Sequence, residues 1–165
     1  MDMQPNHNQP MIMHIDLNSC FAILEQQANP LIRHKPVVIA AYNSPGGAVI
    51  ASSYEAKALG IKLGVNVREA KLLCKDVIVL TPDPDKYFDA HWRFKKILLK
   101  YTNEVKPKSV DEFVVDFGGS VAVQRGESLQ EIGYQIKQDI KQSLGEYVTV
   151  NVGIGPNRFL AKLAT

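Results

Sequence analysis

Two carboxylates stand side by side in SVDEFVVDF, residues 109–117, where Asp111 and Glu112 head an apolar run. A third, Asp16, lies near the end of a separate apolar run, MIMHIDL at 11–17. Three carboxylates on one patch repel one another unless cations occupy it. Hard oxygen ligands with room for phosphate and water suit Mg²⁺, and two such ions about 3.5–4 Å apart can activate an attacking hydroxyl and stabilise the leaving oxygen in phosphoryl transfer. An Asp-Glu pair is equally an ordinary solvated turn or strand end, so spacing alone leaves both readings open.

Which reading holds depends on the elements that carry the acids. MIMHIDL is a short strand, and NSCFAILEQQAN (18–29) a helix with Asn18 or Ser19 placed to cap it. PVVIAA (36–41) and GAVIAS (47–52) form a hairpin across the turn residues YNSPG. YEAKALG (54–60) ends on a glycine suited to a helix C-terminus, VREAKLLC (67–74) is a short helix, and VIVLTP (77–82) a strand. In DKYFDAHWRFKKILLKYT (85–102) the helical spacing sets Phe88, Trp92, Lys95 and Leu99 on one side, His91, Phe94, Leu98 and Tyr101 beside them, and Asp89, Arg93, Lys96 and Lys100 opposite. KPKSVDEFVVDFGG (106–119) reads as strand, acidic pair, strand and Gly-Gly turn. Leu129, Ile132, Ile136, Ile140 and Leu144 recur at helical spacing, EYVTVNVGIG (146–155) is a strand, and PNRFLAKLAT opens a helix with Pro156 in its first turn. With the middle hairpin region set aside as an insertion, the order is strand, helix, strand, strand, helix, strand. That is the ferredoxin-like split βαβ arrangement, an α+β fold with an antiparallel sheet backed by two helices. It makes the first strand a neighbour of the central hairpin, so Asp16 can meet Asp111 and Glu112 at one end of the sheet.

A length of 165 residues and 45% hydrophobic content suit one globular domain. The net charge of +2 permits nucleic-acid binding without arguing for it. Arg93, Lys96, Lys100, Lys106 and Lys108 read equally as a solvated basic face and as phosphate contacts. Cys20 and Cys74 lack CxxC spacing and a histidine cluster, which disfavours a zinc site or a disulfide framework and leaves two reduced, buried thiols. The opening MDMQPNHNQP is a polar, disordered leader without signal-peptide character, and no apolar run approaches a membrane span, so a cytosolic protein is expected. Tyr54 and Lys57, three apart, share a helical face and can act together, or form a solvated face. GIGPN is not a dinucleotide fingerprint, because the third glycine is missing, and there is no GxxxxGK[ST] loop.

Taken in order, HIDLNSCFAILE, VIASSYEAKALGIKLGV, SVDEFVVDF and NVGIGPNRFLAKLAT resemble the N-terminal palm and fingers of Y-family translesion DNA polymerases. The YEAKALGIK wording is most similar to the UmuC-type (ImpB/MucB/SamB) bacterial branch, which includes polymerases of the IV and V types. The resemblance covers residues 11 to 165. It implies a palm from 11–19 and 80–165, small fingers from 20–79, and a thumb and little finger that lie outside this chain.

By that resemblance Asp16, Asp111 and Glu112 are the catalytic metal carboxylates, and Leu17 lends a backbone carbonyl to the nucleotide-side ion. Phe21 is the steric gate whose ring would collide with a ribonucleotide 2′-hydroxyl; without the family, plain core packing would be the reading. Tyr54, Lys57 and Lys162 hold the incoming triphosphate. Many members have arginine in place of Lys57, so a bidentate fork is replaced by a point charge; Asn18 stands where many have a second aspartate. The implied reaction is template-directed addition of a deoxynucleotide with two Mg²⁺, or Mn²⁺ in their place, on primer-template DNA. A clamp-binding segment would belong to the C-terminal part, and strong activity is not expected of the fragment alone. Two rivals are a GGDEF-type nucleotidyl cyclase, disfavoured because Ser-Val precedes DEF and the YEAK block has no place there, and a truncated relative that only binds DNA or protein.

Overall fold

A computed structural model describes residues 11–165; the expected leader lies outside the described residues. These divide into two compact units, one built from the chain up to Leu17, Ala90–Leu144 and Thr149–Thr165, the other from Asn18–Asp89 and Gly145–Val148. The boundary after Asp89 falls inside a helix.

The first unit is built on a four-stranded antiparallel sheet of β1 (Ile12–Leu17), β5 (Val105–Pro107), β6 (Glu112–Asp116) and β7 (Val150–Gly155), in the order β5-β6-β1-β7. Counting only this unit's strands, the order read from β7 is 4-1-3-2, the ferredoxin-like order expected. Strand alternation decides what each face carries. Met13, Ile15 and Leu17 of β1 and Phe113 and Val115 of β6 are buried on one face. There Phe94 of α4 (Pro84–Leu98) meets Phe113 edge to face at 4.8 Å, and Gly133 of α6 (Leu129–Leu144) lies close to Met13 and Val152. Val114, His14, Asp16 and Glu112 fall on the other face, since His14 pairs with Val114 and Asp16 with Glu112 in the β1/β6 ladder. The expected stripe on α6 is buried at Leu129, Ile132, Ile136, Ile140 and Leu144.

Three local expectations are corrected. On α4 the expected Phe94 and Leu98 are buried, together with Tyr87, Ala90 and Ile97, whereas Phe88 and Trp92, and Leu99 just after the helix, are exposed. Both sets have helical spacing, and packing against Phe113 selects the one that holds Phe94. The last helix, α7 (Arg158–Leu163), is capped by Asn157, whose side chain accepts from the Leu160 N–H, so Pro156 precedes the cap. A short helix, α5 (Val121–Gln124), capped by Ser120, follows the Gly-Gly turn, where the sequence reading had no element.

The second unit holds a three-stranded sheet, β3-β2-β4, with β2 (Val37–Ala40) antiparallel to β3 (Val49–Ser52) and parallel to β4 (Ile78–Leu80). All four residues of β2 are buried because both faces are covered. Val38 packs with Ala56 of α2 (Tyr54–Ala58) and Ala70 of α3 (Val67–Leu73), while Val37 and Ile39 pack with Ala22 of α1 (Cys20–Ala28). A capping box, Asn66 with Glu69, starts α3. The expected glycine end of α2 is a Schellman motif: Ile61 N–H bonds Ala56 C=O and Gly60 N–H bonds Lys57 C=O, with Gly60 at φ +83°. Cys20 is buried as expected, whereas Cys74 is only half-buried, and neither is in a disulfide.

Candidate active site

The acids of the first unit are placed by backbone register. Asp16 on β1 is the direct partner of Glu112 on β6, and the Leu17 N–H donates to the Asp111 carbonyl at 2.9 Å, so Asp111 adjoins the same end of the sheet. The bend before β6 is held from two further sides. Ser109 Oγ donates to Asp111 Oδ1 at 2.6 Å, and His91 Nδ1 of α4 donates to the Val110 carbonyl at 2.8 Å. His91 also stacks on Phe113 at 5.0 Å, which ties the acidic bend to the core immediately behind it.

The electrostatics follow from this crowding. Burial, then the neighbouring charges of Asp111 and Glu112, push the Asp16 carboxyl above its ordinary range. Glu112 goes the other way: the hydrogen bond from Lys162 Nζ at 2.8 Å, reinforced by His14 Nε2 at 2.6 Å, holds it below the usual range despite some burial. Both bonds fall on Oε1, and neither uses Oε2. Lys162 is 58% exposed, so its pair is worth no more than about 1 kcal/mol. Among the described residues, no three His, Cys, Asp or Glu side chains are drawn together as a ligand set. The donor chemistry nevertheless fits divalent cations, because like charges destabilise an ionised Asp16 beside Asp111 and Glu112 and a cation would relieve that repulsion.

In the second unit, Ser53 caps α2 by accepting from the Ala56 N–H, and Tyr54 and Lys57 project from this one short helix. Lys57 Nζ lies 5.6 Å from the Tyr54 ring centroid and donates to Ser19 Oγ at 2.7 Å. Ser19 occupies the N-cap position of α1 in a left-handed conformation, φ 49°, and its side chain makes no capping bond there. The capping role expected of Asn18 or Ser19 is therefore not performed by Ser19, whose hydroxyl is turned to Lys57. Phe21 on α1 is half-buried and stacks on Tyr87, with centroids 4.3 Å apart and planes 11° from parallel. Tyr87 is in turn anchored by donating to Glu25 Oε1 at 3.1 Å, and burial raises its hydroxyl pKa well above the ordinary tyrosine value.

The structure thus brings Asp16, Leu17, Asp111, Glu112 and Lys162 together in one unit and Tyr54 with Lys57 in the other. Sequence reasoning missed His14, His91, Ser109, Tyr87 and Thr165. His14 had a signal, a histidine two residues from Asp16 and so on the same strand face. Of the basic residues left open, Lys100 pairs with Asp139 at 2.9 Å, while Lys106 is 4.0 Å from Glu104.

One compact unit thus gathers carboxylates at one end of an antiparallel sheet, and the other presents a tyrosine and a lysine from one helical turn. Residues 15–165 match the impB/mucB/samB family, and the chain belongs to it. It is 35% identical to a DNA polymerase IV of Bacillus velezensis over 158 residues, covering 94% of this chain and 36% of that protein. To a DNA polymerase IV of Pelotomaculum thermopropionicum it is 38% identical, with 93% and 37% covered. Its fold is similar to that of DinB from Sulfolobus solfataricus, with a TM-score of 0.81 at 29% identity, and to the insertion ternary complex of Dbh DNA polymerase, with the same values. Each of these structures is covered over 44% of its length. The chain therefore spans less than half the length of the relatives and structures it matches.

Proposed function

We propose that this chain is the palm and fingers of a template-directed DNA polymerase of the lesion-bypass type, the first compact unit acting as the palm and the second as the fingers. The observation that carries the reading is the pairing of Asp16 with Glu112 beside Asp111, in a setting where burial and like charge disfavour an ionised Asp16.

In this reading Asp16, Asp111 and Glu112, with the Leu17 carbonyl, would hold two Mg²⁺, or Mn²⁺ in their place. Bound there, the ions would supply Lewis-acid activation of a primer 3′-hydroxyl and stabilisation of the departing pyrophosphate. The protein's own groups position and balance charge. The Leu17-to-Asp111 backbone bond and the His91 bond to Val110 keep the acids in place before any ligand arrives. Lys162, which is bonded to Glu112, is the cation that would move to a phosphate when metal takes over the carboxylate. Tyr54 and Lys57 would bind triphosphate oxygens, Lys57 exchanging its Ser19 contact for them. Phe21, kept flat by its stack on Tyr87, is suited to reject a 2′-hydroxyl.

The proposed substrates are primer-template DNA and deoxynucleoside triphosphates, in keeping with relatives called DNA polymerase IV and with a structure titled an insertion ternary complex. A sliding clamp would be recruited through sequence outside this chain. Among the described residues no helix is long and apolar enough to cross a membrane, and a cytoplasmic, nucleoid-associated setting is proposed.

The test is an electron paramagnetic resonance titration of Mn²⁺ with and without a deoxynucleoside triphosphate, on this chain and on Asp111→Asn. Nucleotide-enhanced binding in the first and its loss in the second are expected. Equal weak binding in both would overturn the proposal that this chain assembles the metal site.

A further inference from the structure

His14 lies on the sheet face of the first unit that also carries Asp16 and Glu112, and is used by none of the roles above. It is 1% exposed. Its Nε2 is bonded to Glu112 Oε1 at 2.6 Å, and its Nδ1 to Thr165 Oγ1 at 3.0 Å. Thr165 Oγ1 in turn donates to the Ala161 carbonyl at 3.0 Å, closing a chain from α7 through the imidazole to the carboxylate.

The backbone explains how this chain of contacts can exist. His14 pairs directly with Gly153 across the β1/β7 ladder. A Cβ at Gly153 would lie 2.0 Å from the Ala161 carbonyl oxygen and 2.5 Å from Thr165 Oγ1. Only glycine lets the chain after β7 return this close to the sheet, and that return sets Thr165 over the imidazole. The same return brings Lys162 to Glu112. The GIG of NVGIGPN, which the nucleotide-loop reading rejected, therefore has a physical use as the seat for α7.

On the reading of Glu112 as a metal carboxylate, we infer that His14 is a positioning residue: a buried imidazole, locked at Nδ1 by Thr165, that fixes the rotation of the Glu112 carboxylate so that the oxygen it does not bond is presented to a cation. An imidazole bonded at both nitrogens is restrained from turning, so the contact with Oε1 is set by the strand and by the chain that returns through α7 together. Partners of this kind behind a ligand typically change metal affinity on the order of 10-fold or more when removed.

The test compares Mn²⁺ binding by electron paramagnetic resonance, without nucleotide or catalysis, in the unaltered chain, His14→Phe, His14→Gln and Thr165→Val, with Asp111→Asn as the control for the site itself. Melting without metal is followed in parallel. His14→Phe should weaken Mn²⁺ binding on the order of 10-fold, and His14→Gln, which keeps a donor toward Glu112, should recover part of it. Thr165→Val, at an exposed position, should weaken binding by a smaller factor without moving the melting temperature. If Asp111→Asn loses Mn²⁺ but the His14 and Thr165 variants bind as tightly as the unaltered chain, or more tightly, the inference is overturned and the metal reading stands. If Asp111→Asn and the unaltered chain bind alike, the metal reading fails, and this inference with it. Should His14→Phe not fold, Thr165→Val decides: weaker binding at an unchanged melting temperature supports the inference, and unchanged binding overturns it.

Discussion

The two units present their proposed ligand-binding groups in opposite ways. In the first, Asp16 and Glu112 lie on strands of set register with Asp111 at the adjoining bend, partly buried and crowded enough that Asp16 resists ionisation, with an almost fully buried histidine behind Glu112. In the second, Tyr54 and Lys57 stand on a five-residue helix, Tyr54 half exposed and Lys57 exposed. A metal centre needs ligands fixed to fractions of an ångström, which register and burial supply. A flexible triphosphate can be gripped by exposed side chains that reorient as it arrives. The difference teaches that packing changes should be costly around the acids and mild around the lysine.

The sharpest test of that contrast pairs two glycines. Gly153→Ala should cost about 3 kcal/mol, because its Cβ meets backbone atoms of α7 that cannot withdraw without leaving the sheet. Gly60→Ala has open space around its Cβ and meets only the left-handed backbone strain of φ +83°, so about 1 kcal/mol is expected. Urea unfolding of both variants measures the gap; equal losses would break the comparison.

Next in size is Phe21→Ala. Losing a half-buried ring stacked on Tyr87 should cost about 2 kcal/mol, less than the 3–5 kcal/mol of a fully buried phenylalanine. In a longer chain that polymerises, the same change should admit ribonucleotides. Intact sugar discrimination in primer extension would remove the gate role while leaving the stacking loss.

The pH dependence should separate the units by sign. Asp16 is raised, so its folded form holds a proton to higher pH than the unfolded chain, whose carboxyl titrates near about 3.9. Its contribution to stability is therefore greatest in acid and falls as pH rises through the raised value. Glu55 is lowered: burial opposes the shift but is outweighed by hydrogen bonds led by Ser53, with Gln26 and Tyr147 adding to it. Its contribution is present above the unfolded pKa and is lost as pH falls through the depressed one. Asp16→Asn should thus flatten a decline toward neutral pH, and Glu55→Gln should flatten a loss in acid. The melting temperature against pH for each variant checks both, and slopes of the same sign would refute the contrast.

The smallest effect on stability is expected at Lys57. Lys57→Ala should lie within about 0.5 kcal/mol of the unaltered chain in urea. It should still weaken deoxynucleoside triphosphate binding roughly tenfold, the size expected for one charge-assisted hydrogen bond. Unchanged nucleotide affinity would leave Lys57 as a solvated helix residue paired with Ser19.

Much of the fold was legible because its signals are local. Alternation in MIMHIDL and EFVVD, the stripe from Leu129 to Leu144, and the glycine ending α2 each act within one element. The ordered motifs also named the acids, the tyrosine and both lysines. On α4 the apolar residues wrap far enough round that two stripes compete, and only contact with Phe113 chose between them. Ser19 looked like a cap because its residue type suits one, yet a left-handed backbone turned its hydroxyl toward Lys57.

The sequence by itself determined the candidate site residues and the family the chain belongs to, since residue type and short-range spacing are written in the chain. Tertiary structure alone decided that His14 meets Thr165 and Glu112, partners 151 and 98 residues away, and that Gly153 is the gap which lets them meet. The physical reason is that hydrogen-bond partners and steric clearance are properties of two chain segments in register. No window along one segment contains them.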